Sequence, residues 1–203
     1  MRDSARALYR TAILDAAESV FSERGFATAR VQEIAQRAGL AVGTIYNYFV
    51  RKEDILVALL EERAFAFIEA FAPAPHDPEA YRPRLVARLA RLMDYIASHR
   101  AFFTLASEHG LFGSSTSSAK ALFGGRRLSS ASAYERALLA VVDAGIEEGV
   151  LASIDRDLLA VHLRHSIRSA SQWLKLRPEI PAEKAGRMAA ELFLYGATKR
   201  PRR

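Results

Sequence analysis

Residues 31–49 read VQEIAQRAGLAVGTIYNYF, and the pattern is that of two short helices around a tight turn. Ile34, Ala35 and Ala38 fall on one face of the first helix, with Ala35 small enough for close packing. Gly39 supplies a residue tolerant of positive φ. Leu40 and Ile45 anchor the second helix on the same core. That leaves Gln32, Ala41, Val42, Gly43, Thr44, Tyr46, Asn47 and Tyr48 to face outward. A short helix, a glycine turn and a second helix offering side chains outward is a helix-turn-helix, the arrangement that fits a DNA major groove.

On both sides the apolar spacing stays helical, and nothing alternates long enough to read as a strand pair. Before the motif, a helix runs from about Ser4 to Arg24 on the stripe Ile13, Ala17, Val20 and Phe21, and Gly25 stops it. The second motif helix is read as Val42 to Tyr48. A fourth helix runs from Lys52 to about Phe71. Pro73, Pro75, Pro78 and Pro83 then mark a connector. Leu85, Leu89, Leu92 and Ile96 give the next helix, ending near Ser98, and residues 101–109 a shorter one. Residues 110–130, rich in Gly and Ser, read as a loop with a short helix around Ala119 to Phe123. Three helices close the chain, at about Ala133–Glu148, Asp155–Leu176 and Ala182–Ala197, with Gly149 ending the first and Asp155 capping the second. The expected fold is all-α. An N-terminal three-helix DNA-binding domain (1–50) precedes a larger helical ligand-binding and dimerisation domain (51–203), linked by the helix over 52–71.

Composition narrows the function classes. Of 203 residues half are hydrophobic, none is cysteine, and the formal charge is +6. A real core is affordable, disulfides and thiolate metal sites are excluded, and a polyanionic partner is suited. The excess is not in the motif, however: residues 1–60 hold eight Lys/Arg against seven Asp/Glu, a net of +1. Four basic residues instead crowd the final five, Lys199 to Arg203. The opening residues predict neither a signal peptide nor a membrane anchor, no apolar run is long enough to span a bilayer, and the expected location is the cytoplasm.

The run G-F-x-x-x-x-V-x-x-I-A-x-x-A-G-L-x-x-G-T-I-Y-x-Y-F-x-x-K-E-D-I-L, from Gly25 to Leu56, resembles the tetracycline-repressor (TetR/AcrR) family of transcriptional regulators. The resemblance is specific over about the first 60 residues and only architectural beyond. It implies a dimer on palindromic double-stranded DNA, with Gly43 letting the duplex approach and Thr44, Tyr46 and Tyr48 at phosphates or base edges. Lys52, at a helix N-terminus, suits a phosphate. Gln32 and Asn47 can read bases, and Arg30, Arg6 and Arg10 can reach the backbone. For Tyr46 the other reading is a core place, for Lys52 and Asn47 an ordinary solvated one. The chain departs from the family at Ala41 and Val42, where polar residues are usual and apolar contact to a thymine methyl is the substitute. It departs also at Ala29, where a helix-entry Thr is usual and its loss costs ~1 kcal/mol.

The same resemblance implies a dimer surface on the last two helices, read as Ile167, Ala170, Trp173 and Leu174 with Met188, Leu192 and Tyr195. Trp173, the single tryptophan, fits an interface anchor or its own core equally. A hydrophobic small-molecule effector is implied too, with Phe65, Met93, Phe102, Phe103 and Leu105 as an apolar lining, although phenylalanines at such spacing also make plain core. No cofactor and no metal is expected. His162 and His165 share a helix without a third ligand, and GLFGSSTSSAK is only superficially like a phosphate loop, so catalysis is not expected. The competing class is a helical interaction module that has kept the fold without DNA binding.

Overall fold

The computed structural model describes residues 2–108 and 129–198. Among these, the regular elements are helices: α1 (Arg2–Arg24), α2 (Val31–Ala38), α3 (Val42–Tyr46), α4 (Lys52–Phe71), α5 (Tyr81–Ser98), α6 (Arg100–Glu108), α7 (Ser129–Glu147), α8 (Arg156–Leu176) and α9 (Ala182–Ala197). One isolated antiparallel bridge pairs Leu151 with Thr198. The expected helix at Ala119–Phe123 and the basic tail from Lys199 lie outside the described residues.

Two boundaries differ from the periodicity. α5 begins at Tyr81, so Pro83 lies inside it. It is the third helical residue, where a backbone N–H would have no intrahelical acceptor, so proline costs the helix no bond. α3 stops at Tyr46, where the chain turns through Asn47 and brings Phe49 inward. Asp155 caps α8 as expected, its carboxylate accepting from the Leu158 N–H at 2.8 Å.

The chain divides into two compact units, Met1–Ala64 with Ala101–Leu128, and Phe65–Arg100 with Ser129–Arg203. In the first, Ile13, Leu14, Ala17, Val20 and Phe21 of α1 meet Ile34 and Ala35 of α2, Ile45 of α3 and Leu56, Leu59 and Leu60 of α4. Phe102 and Leu105 of α6 complete that core. Ion pairs fasten the helices outside it: Arg63 of α4 donates from Nε to Glu18 at 2.8 Å and also pairs with Asp15. Arg37 of α2 forks onto Glu23 of α1, its Nη2 at 2.8 Å.

In the second unit α5, α8 and α9 pack most closely. A Cβ built on Gly186 would lie 2.5 Å from the Cα of Ala90, so α9 and α5 touch backbone to backbone there. The proline-rich connector is staked to α5 by Asp77. Its carboxylate accepts from the Ala74 N–H at 3.0 Å, Arg88 Nε at 2.8 Å and Arg91 Nη1 at 2.6 Å. Burial alone would raise the pKa of Asp77, but the two guanidiniums and the amide outweigh it and lower it to about 2.

Candidate nucleic-acid interface

The motif is built from its turn outward. Gly39 has φ 67° and ψ 31°, the left-handed region that a Cβ disfavours. Its position lets the Leu40 N–H reach the carbonyl of Ala35 at 2.9 Å and the Gly39 N–H that of Gln36 at 3.2 Å. This pair of bonds is a Schellman closure, which satisfies the last carbonyls of α2 and redirects the chain into α3. At the other end of α2 the cap residue is Arg30 rather than Ala29, which is buried. Arginine has no acceptor to offer the first turn, so only one arm of a capping box forms: the Glu33 carboxylate accepts from the Arg30 N–H at 3.0 Å.

α3 buries Ile45 and turns its other side outward. Tyr46 is 51% exposed, so its core reading is excluded. Gln32 and Asn47 are exposed, and Val42, Thr44 and Tyr48 are half-buried, Val42 and Tyr48 resting against the core. A Cβ on Gly43 would meet nothing within 4 Å, and its φ is not positive. Tyr48 sits edge-on to Tyr9 with ring centroids 6.5 Å apart, and the Arg6 guanidinium lies 5.9 Å above its ring. Arg30 and Arg6 are exposed, whereas Arg10 pairs with Glu62 of α4.

Lys52 is the correction. Its ammonium donates to the carbonyls of Phe26 at 2.7 Å, Ala29 at 2.9 Å and Ala27 at 3.2 Å, and lies 4.6 Å from the Phe26 ring centroid. A lysine ammonium has three donors, and all three are taken by the loop between α1 and α2. The residue read as a phosphate ligand holds together the loop that leads into α2.

Most of the seven acidic residues that diluted the charge of this segment sit in ion pairs. Asp15, Glu18, Glu23 and Asp54 are each paired with an arginine of the same unit. Net charge was a poor guide because the carboxylates brace helices and the outward face of α3 carries none of them.

The residue pattern and geometry of α2 and α3 coincide with what known proteins show. The profile of bacterial regulatory proteins of the tetR family matches residues 13–59, the stretch from the inner face of α1 into α4. Residues 13–59 are therefore similar to the tetR family. The fatty acid metabolism regulator protein of Bacillus subtilis is 39% identical over 99 residues, 49% of this chain and 46% of that protein. The matched part thus spans about half of that relative. The transcriptional repressor KstR2 of Rhodococcus jostii is 25% identical over 195 residues, covering 92% of this chain and 90% of the relative. Both relatives are named for regulation rather than catalysis. The FadR regulator of Bacillus subtilis, solved with stearoyl-CoA, shares the fold at a TM-score of 0.74 with 24% identity, over 92% of this chain and 98% of that one. The TetR profile ends at residue 59, so the residues beyond it are placed by structure alone.

There the expected dimer set divides. On α9, Met188, Leu192 and Tyr195 are exposed, Leu192 at 63% and Tyr195 at 91%. On α8, Ile167, Ala170 and Leu174 are buried with Leu159 and Leu163 in the inward stripe, so they have no surface to offer a second copy. The outward face of α8 carries Leu158, Val161, His165 and Leu176 instead. α8 has two apolar stripes, and periodicity does not say which one its own core takes. Trp173 is half-buried, between its two readings.

The expected effector lining is shared between the two units. Phe102 and Leu105 fill the core of the first unit and Phe103 packs against it, 5.1 Å from Phe102. Met93 is buried in the second unit, and Phe65 is exposed. Among the described residues no three His, Cys, Asp or Glu side chains gather as a metal site would require, and no helix is long and apolar enough to cross a membrane.

Proposed function

We propose that this chain is a dimeric transcriptional repressor that reads a palindromic operator with α2 and α3 and is released by a small hydrophobic effector. The observation that carries the reading is Gly43. Neither backbone conformation nor packing within the chain requires glycine at this second position of α3, where alanine is the better helix former. A duplex approaching α3 closely is a partner that would require it. Tyr46, Asn47 and Gln32 are exposed beside it as base or phosphate contacts, with Thr44 flanking and Arg30 and Arg6 placed for the backbone. The apolar outward faces of α8 and α9 supply the dimer surface, which pairs two heads on two half-sites. Relatives named for fatty acid metabolism, and a neighbour solved with stearoyl-CoA, favour an acyl effector.

Selection of the protein on a randomised duplex pool at two salt concentrations tests this. Enrichment of a palindrome with fixed half-site spacing is expected, lost in Gly43→Ala while that variant melts no lower than the parent. A pool with nothing enriched at either salt would overturn the DNA reading and leave the helical interaction module.

A further inference from the structure

The outward surface of the motif offers a base no uncommitted cation. α3 itself holds no charged residue, and the three cations nearest to it in the chain are engaged within the same unit. Arg37 forks onto Glu23, with Nη2 at 2.8 Å. Arg51 pairs with Asp54 at 3.3 Å, and Lys52 is held by the carbonyls of Phe26, Ala27 and Ala29. Arg30 stands further back, at the entry to α2, and serves the backbone in the reading above. An arginine or lysine on guanine O6 and N7 is the commonest base-specific contact in a major groove. Exposed ion pairs contribute little, so guanine contact is part of the test below.

Apolar groups and amides take the place of cations here. Ala41, immediately before α3, is exposed, and Val42, its first residue, is half-buried against the core of the first unit. That contact fixes Val42 and leaves part of its side chain outward. No atom of the chain lies within 4 Å of where a Gly43 Cβ would sit, so the patch is uncovered beside them. Gln32 and Asn47 are exposed and carry the amides. Apolar side chains pack on the 5-methyl group of thymine, and an amide makes two bonds to adenine N6 and N7. Both groups lie on the major-groove edge of one A·T pair, so the two chemistries converge on the same base pair.

We propose that the motif reads A·T pairs, with Ala41 and Val42 against thymine 5-methyl groups and the Gln32 and Asn47 amides on adenine. This rests on the DNA reading above and gives it a base class. The test is fluorescence anisotropy of the full chain on the operator enriched from the duplex pool, with half-site thymines replaced singly by deoxyuridine. That change removes the methyl group and keeps the base pairing. At one or more thymines the loss expected is about fourfold per half-site, the worth of one buried methyl. The same positions as 5-bromodeoxyuridine, whose bromine has the size of the methyl, should recover the parent affinity. In Val42→Ala or Ala41→Gly the deoxyuridine step should cost nothing further, and 7-deazaguanine in place of half-site guanines should leave affinity unchanged. The deoxyuridine series is run on the parent protein, so a variant that fails to fold leaves the test standing. The proposal alone is overturned if every thymine is replaceable without loss, if both variants keep the full penalty, or if 7-deazaguanine costs more than any deoxyuridine. A pool that enriches no sequence overturns it together with the DNA reading.

Discussion

Lys52 and Gly43 stand about nine positions apart in one motif, and the fold treats them in opposite ways. Around Gly43 the chain leaves open space, with nothing within 4 Å of where a Cβ would sit. Lys52 is fully engaged inside, its three donors on the carbonyls of Phe26, Ala27 and Ala29. Lys52→Gln keeps a donor of shorter reach and cannot satisfy all three acceptors. The expected cost is about 2 kcal/mol for hydrogen bonds to a charged group, seen as a lower midpoint in urea unfolding. A variant that melts like the parent but loses operator affinity would return Lys52 to the phosphate role. Tyr46 was readable as either contact or core until its exposure was known, since a tyrosine at helical spacing fits both.

At the scale of elements, helix ends carry much of the specification. Gly25, Gly39 and Gly149 all have positive φ and all stand where the periodic pattern breaks, which is why these stops were legible. The connector between α4 and α5 was legible only as a break. Its prolines say where the chain leaves a helix, but the structure shows what holds it: Asp77, with its side chain 6% exposed, under Arg88 and Arg91. The folded-state pKa of about 2 lies below the usual 3.8, so this carboxylate stabilises the native state above about pH 4. That contribution is lost as pH falls from there toward 2. Asp77→Asn should cost ~3 kcal/mol at neutral pH by leaving two guanidiniums without their anion. Its melting temperature should also fall less steeply than the parent's between pH 4 and pH 2 in calorimetric scans. Parallel slopes for the two proteins would show that Asp77 does not anchor the connector.

At the scale of the whole molecule, the proposed dimer surface on α8 and α9 can be tested directly. Leu192 and Tyr195 of α9 are too exposed to contribute to their own core, and Leu158 and Val161 of α8 are exposed as well. Exposed apolar side chains of this size are what an association surface would use. If the protein is the proposed dimer, Leu192→Glu should turn it into monomers in sedimentation, weaken operator binding at least tenfold, and leave helical content unchanged. Ile167→Glu, on the buried stripe, should unfold the second unit instead. If Leu192→Glu stays dimeric, the dimer surface lies elsewhere.

By itself the sequence determined the helices, their stops and the DNA-reading motif, because those rest on local rules. Periodicity of 3.6, glycine at left-handed ends, an Asp before a helix and a tightly spaced motif are all properties of neighbours in the chain. Tertiary structure alone decided which face of α8 is inward and that Phe102 and Leu105 belong to the core of the first unit. It also decided that Lys52 faces carbonyls, and that the Tyr81 hydroxyl is buried without a partner among the described residues. Each of these depends on what packs against a side chain from a distant segment, and an apolar residue on a helix reads the same whether it meets its own core, a second copy or a ligand.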